Sequence, residues 1–280
     1  MTYRSLLVLL DTDPLCSVRT QAAIRLAKAF DAHLTGLAPT GLLDLPGSPS
    51  AAAWLAEFAS LAWDALRQQA DDAAQAFRGA CKGAGLRHFD AVVEQGDTRS
   101  AMLSYAHCHD LTVLTQENPE APSHTNARQL LEQAILFSAR PTLVLPRAGS
   151  FDGCCQTVMV SWDDSCEAAA AVADALPLLK QAKTVHVVSW KENGLFEATD
   201  RPAPLEGLRR WLQRHGVEIQ MHTEITSARI ADAMLSRAAE LQADLIVMGA
   251  YGHARWAQRI LGGATSGLLA SMTVPVLMSH

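Results

Sequence analysis

The feature that most constrains how this chain can fold is a repetition at a fixed offset. "HDLTVLTQ" at 109–116 and "ADLIVMGA" at 243–250 lie 134 residues apart, and the same offset relates "RPTLVLP" at 140–146 to "VPVLMSH" at 274–280. Two matches at one offset argue for a duplicated unit. The beginnings correspond as well: "SLLVLLDTD" at 5–13 and "TVMVSWDDS" at 157–165 are apolar runs closed by an acid and followed by an alanine-rich helical pattern. The unit is about half of the 280 residues, which places one domain at 1–147 and a second at 156–280, joined by "PRAGSFDGCCQ". Asp11 to Asp110 spans 99 positions and Asp163 to Asp244 only 81, so the first copy carries about 18 additional residues, assigned to a helical insertion at about 41–77.

Within each unit strand-like and helix-like patterns alternate. The predicted strands are near 5–10, 33–38, 88–94, 111–115 and 142–145, then 157–162, 184–189, 217–223, 244–248 and 275–279. Helices fall between them, in the second unit near 165–180, 203–215, 227–241 and 264–272. The strands read as short continuous apolar runs such as "LIVM", the pattern of strands covered by helices on both faces of a parallel sheet. The expected fold is α/β, two repeated doubly wound five-stranded parallel-sheet domains. Asp13-Pro14 has the sequence of an N-cap and first helical position, and Asp164 with Glu167 has capping-box spacing.

A net charge of -6, with 49% hydrophobic and 19% charged residues, describes a core-forming globular chain without general attraction for nucleic acid or anionic membrane. The apolar run Leu6–Leu10 is too short for a secretory segment or a membrane span, so the expected location is cytoplasmic. Six cysteines without a CxxC pair read as reduced thiols in that setting.

The stretch 249–267, "GAYGHARWAQRILGGATSG", places five glycines after the apolar run "ADLIVM". Ligands of open parallel sheets collect at the carboxyl ends of strands, where glycine lets backbone N–H groups approach a phosphate. Gly249 stands at such an end, Gly252 would allow a positive-φ turn, and Gly262-Gly263 precede a helical pattern whose N-terminal amides favour an anion. The stretch reads as an anion cradle. It is neither a Walker A loop nor a dinucleotide GxGxxG, both of which are absent from the chain.

The spacing Gly249, two residues, Gly252, nine residues, Gly262 resembles the G-2x-G-9x-G-[S/T] signature of the universal stress protein family. The duplication extends that resemblance over nearly the whole chain, as a tandem member. The resemblance implies an adenine-nucleotide site, for ATP with or without Mg²⁺, in the second unit. Asp163 would accept hydrogen bonds from the ribose, the Val187 backbone would read the adenine edge, and Gly249, Gly252 and Gly262 would line the ribose and phosphates. The family's Ser/Thr after the third glycine is Gly263 here, and Thr265 offers a hydroxyl two positions on. Arg255 and Arg259 in the intervening loop are candidates to neutralise phosphate. The implied role is a stress-response regulatory nucleotide binder. A slow ATPase or nucleotidyl-transferring enzyme and a non-binding interaction scaffold are the alternatives. No catalytic or metal-ligating residue is assigned.

The corresponding stretch of the first unit, "LTQENPEAPSHTNARQLLEQAI" at 114–135, contains no glycine and carries Glu117 and Glu120 where phosphate would sit, so that copy should not bind ATP in the family manner. Trp54, Phe58, Leu61 and Ala65 at helical spacing read as core or as a subunit contact. "HCHD" at 107–110 is poorly arranged for a tetrahedral metal. In the resembled family protomers dimerise through the last strand. The expectation here is an intramolecular pseudo-dimer with "PTLVLP" and "VPVLM" back to back, and self-association of chains through 41–77 is compatible with it.

Overall fold

The computed structural model describes residues 2–41, 52–120, 124–148, 155–192, 205–252 and 263–280. Of the positions singled out above, Gly262, Arg255, Arg259, residues 121–123 and the side chains of Trp54 and Phe58 lie outside what is described. The elements alternate along the chain: β1 (Ser5–Leu9), α1 (Cys16–Phe30), β2 (His33–Pro39), α2 (Ala52–Gly83), β3 (Phe89–Glu94), α3 (Thr98–Ala106), β4 (Leu111–Thr115), α4 (His124–Phe137) and β5 (Thr142–Leu145). The second copy follows with β6 (Thr157–Ser161), α5 (Cys166–Leu179), β7 (Thr184–Glu192), α6 (Leu205–Arg214), β8 (Gln220–Thr226), α7 (Ile230–Glu240), β9 (Leu245–Gly249), α8 (Gly263–Ser271) and β10 (Val276–Ser279). All ten expected strands form. β8 begins three residues later than the apolar pattern implied.

The chain divides into two compact units, one of residues 4–113 and the other of residues 114–280 together with 1–3. In the first, the strand order is β3-β2-β1-β4, with β1 parallel to both neighbours: Leu6 pairs Leu34 on one side and Leu111 on the other. Leu6, Leu7 and Val8 are completely buried, as expected of a strand covered on both faces. In the second unit the order is β5-β10-β9-β6-β7-β8. All its neighbours are parallel except β5 and β10, which run antiparallel with Leu143 opposite Leu277. That pairing is the one expected of the two terminal strands. It also explains why the compact unit reaches back to residue 114: β5 completes its ladder on β10, and α4 goes with it.

The repeat has a polar signature at its strand starts. Asp110, just before β4, accepts hydrogen bonds from the backbone N–H groups of Arg4 (2.7 Å) and Ser5 (3.0 Å). Its counterpart Asp244 accepts from Gln156 (2.6 Å) and Thr157 (3.1 Å). In each copy a carboxylate satisfies donors at the first residues of the neighbouring strand, which would otherwise end the ladder unpaired.

Three local expectations need correction. α1 begins at Cys16, and Asp13 acts two residues upstream, accepting from the Leu15 N–H at 2.7 Å, so Pro14 lies in a turn and not at the first helical position. The N-cap of α5 is Ser165, whose hydroxyl accepts from the Ala168 N–H at 3.1 Å; Asp164 precedes it with φ of +63°, which takes it out of a capping box. The additional residues of the first copy lengthen α2 to 32 residues against 10 in α6, and on it Leu61 is 66% exposed and Ala65 exposed, so that stripe is not core at those positions.

Candidate functional site

The site expected in the second unit is built where β6 and β9 end. Asp163 follows β6, is exposed, and its Oδ1 accepts from both the Ser165 N–H (3.1 Å) and the Ser165 hydroxyl (2.6 Å). Those bonds set its carboxylate beside the first turn of α5. Gly249 ends β9, and the space for its side chain is filled by protein: a Cβ there would stand 2.5 Å from the Ala168 nitrogen and 2.6 Å from the Glu167 carbonyl carbon. The missing side chain at Gly249 therefore lets the N-terminus of α5 close onto β9, a reason of packing and not of ligand approach.

Gly252 borders a different environment. A Cβ there would meet the Glu167 carboxylate oxygen at 3.0 Å and the Ser165 hydroxyl at 3.5 Å, so the loop backbone runs beside polar groups of the α5 first turn. The positive-φ residue of this turn is Tyr251 (φ +58°), and Gly252 is not in the left-handed region. Tyr251 tolerates that conformation because it is held at both ends. Its N–H donates to Thr265 Oγ1 at 3.2 Å, and its ring is largely buried near Glu117, Arg128 and Glu132. Burial first, and the Glu132 charge next, push the phenol far above its ordinary range, so it stays neutral. Thr265 is 3% exposed and uses its oxygen to fix the loop, which makes it a staple within the protein.

Val187 lies within β7, fully buried, opposite Val160 on β6 and Met221 on β8. The β6–β7 pairing ends at Ser161–Val188, and Asp163 and Trp190 each follow two residues beyond that pair. Trp190 pairs with Glu224 on the edge strand, and its buried indole N–H has no acceptor among the described residues. The same holds for Trp162, between Ser161 and Asp163. These tryptophans were not picked out from the sequence; the signal was the position of each two residues beyond an apolar run, after Val160 and after Val188.

α8 starts at Gly263, so the amides of its first turn face the carboxyl ends of the strands, as the glycine pair implied. The arrangement joins an exposed carboxylate, bare loop backbone and a helix N-terminus in one unit.

The corresponding place in the first unit is closed by chemistry the sequence reading did not anticipate. Asp11, the counterpart of Asp163, receives a hydrogen bond at 2.7 Å from Nη2 of Arg19, whose Nε donates to the Leu9 carbonyl at 2.8 Å. Arg19 is 2% exposed, on the buried stripe of α1 that continues through Ala23, Leu26 and Phe30. The corresponding turn of α5 holds Ala168, Ala169, Ala170 and Ala171, side chains too short to bond an acid at the strand end. In the same copy Glu117 is engaged by Arg128 at 3.9 Å, and Arg128 also donates to Glu132 at 2.9 Å.

Among the described residues no group of three or more His, Cys, Asp and Glu side chains could hold a metal ion, and no helix is long and apolar enough to cross a membrane.

Comparison with known proteins agrees with this architecture. Residues 155–280 match the sequence profile of the universal stress protein family. No curated protein matches. A universal stress protein from Archaeoglobus fulgidus aligns over 99% of this chain and 97% of its own, with 17% identity and a TM-score of 0.69. A putative universal stress protein from Pseudomonas aeruginosa aligns over 99% and 93%, with 17% identity and a TM-score of 0.59. A protein of unknown function from the same organism covers 99% and 92%, at 16% identity and a TM-score of 0.57. Residues 155–280 thus match the universal stress protein family, and the chain over its full length shares the fold of solved structures that include universal stress proteins.

Proposed function

We propose that the second unit binds an adenine nucleotide, ATP together with Mg²⁺, at the carboxyl ends of β6, β7 and β9, and that the protein acts as a regulatory binder in a stress response. The observation that carries this reading is the placing of exposed Asp163 and the Gly252 backbone at one end of the sheet, with the α8 N-terminus at Gly263 opening at the same end. Asp163, already oriented by Ser165, would accept from ribose hydroxyls. The buried indole N–H of Trp190 fits a base or ribose acceptor, and the amides of Gly252 and the first turn of α8 would hold phosphate, with Gly262, Arg255 and Arg259 completing the set. Glu167 bears on the species bound: its carboxylate beside Gly252 opposes a bare polyphosphate and suits one whose charge a divalent ion has reduced. Mg²⁺ would supply that neutralisation, and the side chains here orient the nucleotide and exclude water.

A scaffold reading has its own support, since Gly249 and Thr265 serve internal packing. Titration calorimetry of the full chain with Mg²⁺-ATP decides between them. Binding that is lost in Asp163→Ala and in Gly252→Val, with unchanged melting temperature, is the expected result. Affinity that is absent in the parent chain, or unchanged in both variants, overturns the nucleotide reading.

A further inference from the structure

The structure assigns a second ligand site, in the first unit: a groove between α1 and α2 that takes a small organic cation with a flat apolar body. The groove has a volume of about 310 Å³, at the lower end of the roughly 300–1,000 Å³ typical of small-molecule pockets. Its floor is Leu10 and Phe77, each 2% exposed, and its wall on α2 is made of alanines, Ala76 among them. Gly36 on β2 makes that floor possible, because a Cβ there would stand 2.8 Å from the Leu10 side chain and 2.9 Å from the Phe77 ring. The floor is thus a built apolar surface.

The charged groups that line the groove are both acids. Asp11 and Asp13 stand at its mouth, and among the described residues the cation bound to them is Arg19, on Asp11. Asp13 accepts from the Leu15 N–H through Oδ1 and has no ion-pair partner among the described residues, so one negative charge is uncompensated beside an apolar floor. Thr20 supplies the independent indication of a ligand: it is 5% exposed, lines the groove, and its hydroxyl has no hydrogen-bond partner among the described residues. A carboxylate at the rim and a buried hydroxyl above an apolar floor select an ammonium group attached to a ring, and disfavour the anionic nucleotide proposed for the second unit. The two sites therefore differ in the sign of charge they accept.

The test uses the full chain and two probes of one ring system and opposite charge, tryptamine and indole-3-acetate, followed by saturation-transfer NMR and calorimetry. Tryptamine should bind saturably and indole-3-acetate should not. Asp13→Asn, which keeps the acceptor for Leu15, should weaken tryptamine roughly tenfold. Ala76→Phe, at an exposed helical position, should fill the groove and abolish binding. Absence of tryptamine binding, equal binding of indole-3-acetate, or full affinity in Asp13→Asn each overturns the proposal. Should Ala76→Phe lower the melting temperature, the Asp13→Asn comparison decides alone. Mg²⁺-ATP should not compete with tryptamine, which keeps this result separate from the nucleotide reading.

Discussion

Arg19 Nη2 lies 2.7 Å from Asp11 Oδ1, and the same guanidinium holds the Leu9 carbonyl, so the first repeat answers its own strand-end acid with a buried cation. The second repeat leaves the equivalent Asp163 exposed. One duplicated position has acquired two uses: an internal ion pair in one copy and an accessible carboxylate in the other.

Arg19→Ala should therefore destabilise the protein by about 2–4 kcal/mol, since it strands a carbonyl and a partly buried carboxylate and opens a void in α1 packing. Urea unfolding followed by circular dichroism measures it. A loss under about 1 kcal/mol would show that water replaces the guanidinium without penalty.

The two glycines of the loop should separate. Gly249→Ala drives a methyl into the backbone of Ala168 and Glu167 and should lower stability by about 2–3 kcal/mol. Gly252→Ala meets only the mobile end of the Glu167 side chain first, and its effect on the melting transition should stay within about 0.5 kcal/mol. Thermal unfolding of both variants is the measurement; equal losses would contradict the packing assigned to Gly249.

A neutral histidine pair should give the protein an acid-sensitive edge. His186 Nδ1 and His222 Nε2 are 3.1 Å apart, and Arg237 Nη2 lies 3.2 Å from His222 Nδ1. Because arginine only donates, His222 Nδ1 must accept, His222 Nε2–H then donates to His186, and both rings are neutral. Burial first lowers both pKa values, with His222 and Arg237 adding to it for His186, and Arg237 for His222, where Glu224 opposes. The unfolded chain thus takes up protons before the folded one as pH falls through about 6.5, so stability is full above that value and declines below it until the folded pKa values are reached. Urea midpoints between pH 8 and pH 5 test this: His186→Asn with His222→Gln should flatten the decline, and an unchanged slope would refute the assignment.

Restoring a hydroxyl after the third glycine should strengthen the proposed nucleotide site. Gly263→Ser is expected to tighten Mg²⁺-ATP by roughly two- to tenfold, the value of one neutral hydrogen bond. Calorimetry showing no change would mean that phosphate is held without a side chain at that position.

Gln116 should prove to be a structural tie. Its N–H groups reach the Leu269 carbonyl at 2.8 Å, its Oε1 accepts from the Arg147 N–H at 3.0 Å, and it is 7% exposed. Gln116→Ala should cost about 1–3 kcal/mol by leaving buried backbone groups unsatisfied. Gln116→Glu, which lacks the donor, should be at least as destabilising in the same urea assay.

Much of the fold could be read in advance because duplication and continuous apolar runs are local patterns. "LIVM" and "SLLVLL" mark strands wherever they occur, and the repeated acids Asp110 and Asp244 fell at equivalent places for the same reason. The site was less legible. Gly249 was visible as a glycine at a strand end, but whether its bareness admits a ligand or a neighbouring helix depends on what stands above it, and that is Ala168, 81 residues earlier in the chain. Tyr251 in the left-handed region and Thr265 turned inward follow from one hydrogen bond between them, which spacing does not reveal.

The sequence by itself determined two α/β units, their strands, and the loss of the glycine cradle in the first, because periodicity and the absence of side chains act through neighbours along the chain. The tertiary structure decided which acid is answered by Arg19, which glycine is filled by a helix, and which indole N–H groups are buried without an acceptor among the described residues. Those outcomes depend on register and burial across strands far apart in sequence, where a shift of one residue exchanges an inward side chain for an outward one.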